Sequence, residues 1–236
     1  MIRKTQFAPG EFYHVYNRGV DRRVLFTSEA DYNRFLQLLY LANSDRAIVF
    51  EDIELRGIYK LQRVEKYVDI GGYCLMSNHF HILLRELTEG GTTRFMHKLS
   101  TAYTMYFNKK YERTGVLLQG PFKAKHANQD EYLKHLLTYI HMNPLDIIHP
   151  GWKHNGVKNT KSASKFLKEY RYSSLADYVE PKSRPQHAIL STAKFPEYYD
   201  SSEDMIRDID EWQDVSPLFE HDNNGKAKPC HRSDVV

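Results

Sequence analysis

Two histidines of this chain, two residues apart, have a spacing that could bind a metal ion. His79 and His81 open an apolar run that ends at Leu84. In a β-strand alternate side chains share a face, so both imidazoles would point one way while Phe80 and Ile82 point the other. Neighbouring imidazoles commonly form half of a divalent-metal site. Unrelated metal enzymes and solvated histidines show the same pair, which therefore predicts no single reaction.

A tyrosine farther along the chain could act as a nucleophile. Tyr139 lies in a segment of helical periodicity, with Asn143 one turn later. A phenol with a pKa near ~10 is a poor nucleophile at neutral pH unless a metal ion polarises the electrophile. The two imidazoles and the amide oxygen of Asn143 would leave open positions on Mg²⁺ or Mn²⁺, and imidazole ligation favours Mn²⁺. The alternative is a core tyrosine whose hydroxyl reaches water.

The distribution of charge indicates a polyanionic partner. The net charge of the 236-residue chain is +3, but residues 1–180 carry +7 and residues 181–236 carry −4. A basic body with an acidic extension suits binding to nucleic acid, and the 17 tyrosines could stack on unpaired bases. Basic residues that could follow a DNA backbone are Arg18, Arg94, Lys98, Lys109, Lys110, Arg113, Lys123 and Lys125.

Several classes of protein are disfavoured by the sequence. No stretch approaches the ~20 apolar residues of a membrane helix, and no apolar run follows the first charged residues, so we expect neither a membrane partner nor a secretory signal. The two cysteines, Cys74 and Cys230, lack metal spacing and fit a reducing compartment, for which cytoplasm is the default. The absence of a Gly-x-x-x-x-Gly-Lys-Ser/Thr motif predicts no nucleotide cofactor.

The order of predicted elements favours an α+β fold. Strands are expected over 11–17, 67–76 and 79–86, with short extended segments over 116–119 and 121–125. Helices are expected over 29–42, 94–112 and 131–142. Helices on one side of an antiparallel sheet in this order form a ferredoxin-like fold. We interpret 45–66 as an insertion, 153–168 as an exposed lysine-rich loop, 202–213 as an acidic helix and 221–236 as disordered.

Two motifs and their order resemble those of a known family. The run from Tyr73 to Leu84 resembles the HUH motif of single-strand DNA transposases, in which U is an apolar residue. The run from Tyr139 to Pro144 resembles the tyrosine helix of the IS200-like, REP-associated tyrosine transposases. Segments 13–19, 115–125 and 172–174 also fit that pattern, so the resemblance covers roughly residues 8–178.

The resemblance implies a fold, a reaction and a substrate. It implies a ferredoxin-like catalytic domain, which we assign to residues 1–180; the acidic C-terminal extension over 181–236 matches no motif of the family. It implies a divalent metal on His79 and His81, and Tyr139 as the catalytic residue. Cleavage of single-stranded DNA near hairpins would leave a 5′-phosphotyrosine and a free 3′-hydroxyl. The alternatives are a hairpin-binding or regulatory protein without turnover, and an unrelated metal enzyme acting on a small molecule. The protein could be a monomer or a homodimer.

Overall fold

The computed structural model describes residues 5–47, 57–157, 159–199, 204 and 207. Within them, four strands form one sheet: Phe12–Arg18 (β1), Val68–Met76 (β2), His79–Glu86 (β3) and Lys123–His126 (β4). The strand order is β2-β3-β1-β4, and each neighbouring pair is antiparallel. Two split βαβ units therefore interlock as in the ferredoxin-like fold, which confirms the predicted α+β class.

The described helices continue the alternation and then cluster after β4. The first helix connects β1 to β2, the second connects β3 to β4, and the remaining helices follow β4 toward the C-terminus. They are Glu29–Leu41 (α1), Gly91–Lys110 (α2), Asp130–Met142 (α3), Leu145–Ile148 (α4), Trp152–Asn155 (α5), Thr160–Glu169 (α6) and Leu175–Val179 (α7). Of these, none is long and apolar enough to cross a membrane.

Helices cover both faces of the sheet, whereas we expected them on one. Phe80 and Ile82 of β3 are buried in a core cluster with residues of α1 and α2. Leu83, which points to the other face, belongs to a second cluster with Leu136 and Leu137 of α3. Every residue of β2 is buried, and a strand buried along its whole length needs cover on both sides. The helices α3 to α7 supply that second layer.

The hairpin that carries the two histidines has the predicted form. β2 ends at Met76 and β3 begins at His79, so only two residues connect the strands. The pairing is antiparallel, with Met76 opposite His79 and Cys74 opposite His81. Because alternate residues share a face, both histidines point toward the layer formed by α3.

A buried carboxylate joins α1 to α2. Asp31 is fully buried and lies 2.6 Å from the Lys110 ammonium, and it accepts hydrogen bonds from the hydroxyls of Tyr106 and Tyr111. It also accepts from the backbone N–H of Thr27 at 2.9 Å. Burial alone would raise the pKa of Asp31, but the hydrogen bonds from Lys110 and the two tyrosines outweigh it and lower that pKa.

We expect Asp31→Ala to lower the free energy of unfolding by about 1–3 kcal/mol, because it removes the buried acceptor of the Tyr106 and Tyr111 hydroxyls and the ion-pair partner of the partly exposed Lys110. Urea unfolding followed by circular dichroism measures this loss. Glu89→Ala, at an exposed position, is the matched control and should change stability by less than about 0.5 kcal/mol. An Asp31→Ala protein as stable as the control would show that the contacts of this carboxylate contribute nothing to stability.

Residues 153–168 are mainly helical, so the prediction of an exposed loop was wrong. The segment lies within α5 and α6, apart from a short connection. Ala163 and Leu167, four residues apart, are buried among residues of the second cluster, while Lys161 and Lys165 are exposed. The apolar residues at 163, 166 and 167 recur with helical spacing and pack on the second cluster, but the many lysines around them made the segment look like an exposed loop.

The segment after residue 180 packs on the sheet as far as Phe195. Ile189 is buried in the first cluster and Phe195 in the second. The Ser191 N–H donates to the carbonyl of Ile70 at 2.9 Å. The domain boundary at 180 stays a prediction. Of the helix predicted over 202–213 only two residues are described, both helical, and 221–236 and 48–56 lie outside the described residues.

A glycine lets α3 approach β2 closely. A Cβ atom on Gly72 would lie 3.0 Å from the side chain of Leu137. Beside this contact His141 hydrogen-bonds the Ser174 hydroxyl at 2.7 Å, and that hydroxyl accepts from the Tyr73 N–H at 2.8 Å. Helix α3 is thus attached to the edge strand β2 by packing and by a buried hydrogen-bond chain.

Candidate active site

A cleft of about 420 Å³ lies between the sheet and α3. The sheet contributes its histidine-bearing face, and the helices on that side contribute a tyrosine, an aspartate and a lysine. The lining residues are Tyr16, Asn17, Arg18, Arg22, Asn78, His79, Phe80, His81, Gln119, Lys123, Tyr139, Asp146 and Lys153. The structure therefore brings the predicted nucleophile and both predicted metal-binding histidines into one cleft.

The two histidines lie side by side at the floor of the cleft. The ring centres of His79 and His81 are 5.1 Å apart, with the planes nearly perpendicular. The ring of Tyr139 on α3 is 5.7 Å from that of His81, also edge to face. Strand β3 therefore supplies the imidazoles and α3 supplies the phenol, although 58 positions separate His81 from Tyr139 in the sequence.

Hydrogen bonds orient both imidazoles through their Nδ1 atoms. His81 Nδ1 lies 2.8 Å from Nε2 of the buried His14, and His79 Nδ1 lies 2.7 Å from the side-chain oxygen of Asn78. When Nδ1 donates, Nε2 carries the lone pair that a metal ion requires. His14 reaches His81 because β1 pairs with β3 so that the two residues are diagonal neighbours on one face.

The electrostatics of the cleft keep His79 neutral. Burial, together with the positive charges of Lys153 and Arg18, lowers the pKa of His79 to about 4. A neutral imidazole at physiological pH is the form that binds metals. No group of three or more His, Cys, Asp or Glu in the described residues is arranged to hold an ion, so any metal here would take two imidazoles and further ligands from elsewhere.

Asn143, predicted as a third metal ligand, does not line the cleft. Its side chain is fully buried, and its Nδ2 donates to the carbonyl of Tyr139 at 2.8 Å. Its amide oxygen is buried and accepts no hydrogen bond. In this arrangement Asn143 caps the end of α3, and its role as a ligand stays a prediction.

Tyr139 differs from the other tyrosine in the cleft. Its hydroxyl accepts a hydrogen bond from Lys153 Nζ at 3.2 Å. Tyr16 lies opposite His81 in the sheet and stacks beside it at 5.8 Å between ring centres. Burial, and then the neighbouring Tyr139, raise the pKa of Tyr16 to about 12, so this phenol stays protonated. The role of Tyr139 as the nucleophile stays a prediction.

Only two of the predicted DNA-binding residues line the cleft, Arg18 at its rim and Lys123 on β4. The others on α2 belong to the opposite layer. There Lys98 donates to the carbonyls of Ser44 and Arg46, and Lys110 pairs with Asp31. Arg94 donates to Thr88, Arg113 to Asn108, and Lys125 lies 4.5 Å from the centre of the Tyr132 ring.

Sequence reasoning missed several residues that complete the cleft or support it, among them His14, Asp146, Lys153 and Arg22. His14 was visible only as part of a strand motif, and its contact with His81 depends on the sheet register. Asp146 and Lys153 follow the proline that ends α3 and reach the cleft because α4 and α5 fold back. Arg22 lines the rim with a φ of 58°, in the left-handed region that non-glycine residues rarely adopt. Of the features that place these residues, only the tight turn after Gly19 could be recognised from the local sequence.

Comparisons with known proteins bear on the family of this chain. Residues 12–143 match the family model described as "Transposase IS200 like". The comparison with curated proteins gave no match. A solved structure of a REP-associated tyrosine transposase bound to a REP hairpin is 15% identical to this chain, with a TM-score of 0.48, and the similarity covers 79% of this chain and 90% of that one. The family match spans more than half of the sequence, from β1 to the end of α3, and the chain therefore belongs to the IS200-like transposase family.

Proposed function

We propose that this protein cleaves single-stranded DNA beside hairpins and transfers the cut strand through a covalent bond to Tyr139. One observation carries the proposal: the Tyr139 hydroxyl and the imidazoles of His79 and His81 line the same cleft from different elements. A tyrosine that served only to pack α3 on the sheet would not need to present its hydroxyl beside two imidazoles.

The cleavage step can be written with the chain's own residues. The Tyr139 hydroxyl oxygen bonds to the scissile phosphorus as the bond from phosphorus to the 3′-oxygen breaks. The phenolic proton passes to solvent, and the departing 3′-oxygen takes up a proton and becomes a free hydroxyl. The 5′-phosphate stays on Tyr139 as a phosphodiester, so attack by a new 3′-hydroxyl can reverse the step without ATP.

The residues at the floor of the cleft fit a divalent metal ion, Mg²⁺ or Mn²⁺. The fit rests on two neighbouring imidazoles whose Nδ1 atoms are already hydrogen-bonded to His14 and Asn78. When bound, such an ion would polarise the scissile phosphate. The buried amide oxygen of Asn143, which accepts no hydrogen bond, remains a candidate third donor.

The rim of the cleft would guide the DNA backbone. Arg18 Nε donates to the side-chain oxygen of Gln119, which fixes the guanidinium at the entrance, and Lys123 lies on the adjoining strand. We expect Arg18→Gln and Lys123→Gln each to weaken binding of single-stranded DNA and to reduce the slope of log affinity against log salt by about one. Lys109→Gln, on the exposed side of α2, is the matched control and should leave both quantities unchanged.

Fluorescence anisotropy across a salt series measures these effects. Equal losses from Lys109→Gln and Lys123→Gln would show that DNA follows α2 instead of the cleft.

A denaturing gel with end-labelled DNA tests the proposed reaction. The full chain is incubated with hairpin-bearing single-stranded DNA and Mn²⁺, with the label on either the 5′ or the 3′ end. A 5′-phosphotyrosine retains the 3′-labelled fragment on the protein and releases the 5′-labelled fragment with a free 3′-hydroxyl. Chelation of the metal should abolish the adduct. Tight hairpin binding with no adduct would instead identify a binding protein without turnover.

A further inference from the structure

Lys153 is placed in the cleft by contacts that the cleavage step above does not use. Its Nζ lies 3.2 Å from the Tyr139 hydroxyl oxygen and 3.4 Å from Asp146 Oδ2. The same nitrogen is 4.8 Å from the centre of the Tyr139 ring. The ammonium is therefore directed at the oxygen of the phenol, and it lies within hydrogen-bond distance of the atom that would attack phosphorus.

The chain fold delivers this lysine to the site and keeps it charged. Asp146 on α4 lines the cleft. The buried Trp152 packs α5 in the same cluster as α3, and the next residue, Lys153, lines the cleft as well. The side chains of Lys153 and Asp146 are about one-third exposed, at 30% and 34%. Burial alone would lower the pKa of Lys153, but its contacts with Tyr139 and Asp146 outweigh it and raise that pKa.

We propose that Lys153 is a further catalytic residue, whose ammonium donates a hydrogen bond to the Tyr139 oxygen and offsets the negative charge that develops there during attack on phosphorus. This inference rests on the proposed function. Lys153 keeps its proton throughout, because the phenolic proton passes to solvent. In the reverse step the same ammonium stabilises the departing phenolate, so it serves cleavage and rejoining alike. Asp146 is a positioning residue that holds the ammonium in place.

Loss of the hydrogen bond from Lys153 should lower the rate of the chemical step. Loss of one donor to a developing oxyanion typically costs about 10²-fold in kcat. We expect Lys153→Met to slow adduct formation by about that factor in single turnovers at saturating DNA, with little change in the dissociation constant for DNA. Lys153→Arg should recover part of the rate, because it restores the charge. Lys165→Met, which removes an exposed lysine from α6, should match the wild type.

Asp146→Asn tests the positioning role. It should slow adduct formation in the wild-type background and have no further effect in the Lys153→Met background, because it acts only through the ammonium. A purely structural role for Asp146 would lower the rate equally in both backgrounds, and that result would overturn its assignment.

A double-mutant cycle on stability tests the contact without any need for activity. Urea unfolding of Lys153→Met, Tyr139→Phe and the double variant should be non-additive, because either change alone removes the hydrogen bond. The phenylalanine keeps the ring, so the cycle isolates the hydroxyl. Additive losses would overturn the Lys153 proposal whatever the activity.

The activity results separate the two proposals. If the wild type forms the adduct and Lys153→Met forms it equally fast, Lys153 has no catalytic role and the proposed function stands. A variant that binds DNA weakly but reacts at the wild-type rate once saturated would show that Lys153 contacts the DNA backbone, which also overturns the proposal. Failure of the wild type to form any adduct would reject the proposed function itself, and this inference with it.

Discussion

Tyr139→Phe will abolish the covalent protein–DNA adduct while leaving hairpin binding nearly intact. The substitution deletes one oxygen and keeps the ring that packs beside His81 at 5.7 Å between centres. Without that oxygen no bond to phosphorus can form, so the expected loss is complete instead of partial. The denaturing gel with 3′-labelled DNA measures the adduct, and anisotropy at low salt measures binding.

Tyr132→Phe is the matched control for this prediction. Tyr132 lies on the same helix, two turns before Tyr139, and does not line the cleft. Its hydroxyl should therefore be dispensable for adduct formation. An adduct that survives Tyr139→Phe and disappears with Tyr132→Phe would transfer the role of nucleophile to Tyr132.

Replacing His79 and His81 together with alanine will remove both Mn²⁺ binding and cleavage. The two imidazoles are nitrogen donors at the floor of the cleft, so the double variant leaves an ion without its proposed protein ligands. Isothermal titration calorimetry with Mn²⁺ measures the affinity, and the gel assay measures the activity. The buried His14 loses its partner, which we expect to cost about 1–3 kcal/mol of stability.

His97→Ala is the control for the loss of a histidine. His97 is exposed on α2, in the layer on the other side of the sheet. Its replacement should alter neither metal affinity nor cleavage. Circular dichroism must show that the double variant is folded. A folded double variant that binds Mn²⁺ as tightly as the wild type would contradict the assignment of His79 and His81 as metal ligands.

The elements that could be predicted from the sequence are those whose pattern is local. Strand β3 and its tight hairpin follow from the alternation around His79, and α3 follows from the spacing of Leu133, Leu136 and Ile140, all of which are buried. Helix α2 starts at Gly91, three residues before the predicted start. The carboxylate of Glu86 accepts from the Thr92 N–H at 3.2 Å and supports a turn that the two glycines disfavour.

The parts of the site that could not be predicted depend on tertiary placement. Lys153 looked like one more solvated lysine, because nothing near it in sequence reveals that α5 folds back toward Tyr139. The lysines of α2 looked like a DNA-binding cluster, but Lys110 is held by Asp31, which lies 79 positions away. Sequence spacing predicts which side chains share a face of one element, and it does not predict which face of the sheet that element will cover.

The attachment of α3 to the sheet limits the order in which DNA strands could be exchanged in the proposed reaction. With Leu137 against Gly72 and His141 bonded to Ser174, the helix that holds Tyr139 is set on a fixed support. In the proposed reaction a covalently held 5′ end would therefore stay in the cleft where it was cut. One tyrosine can hold one end at a time, so the first 3′ end must leave before an acceptor enters. Strand exchange would then follow a ping-pong sequence, in which the 3′ ends exchange while the 5′ end stays bound to Tyr139.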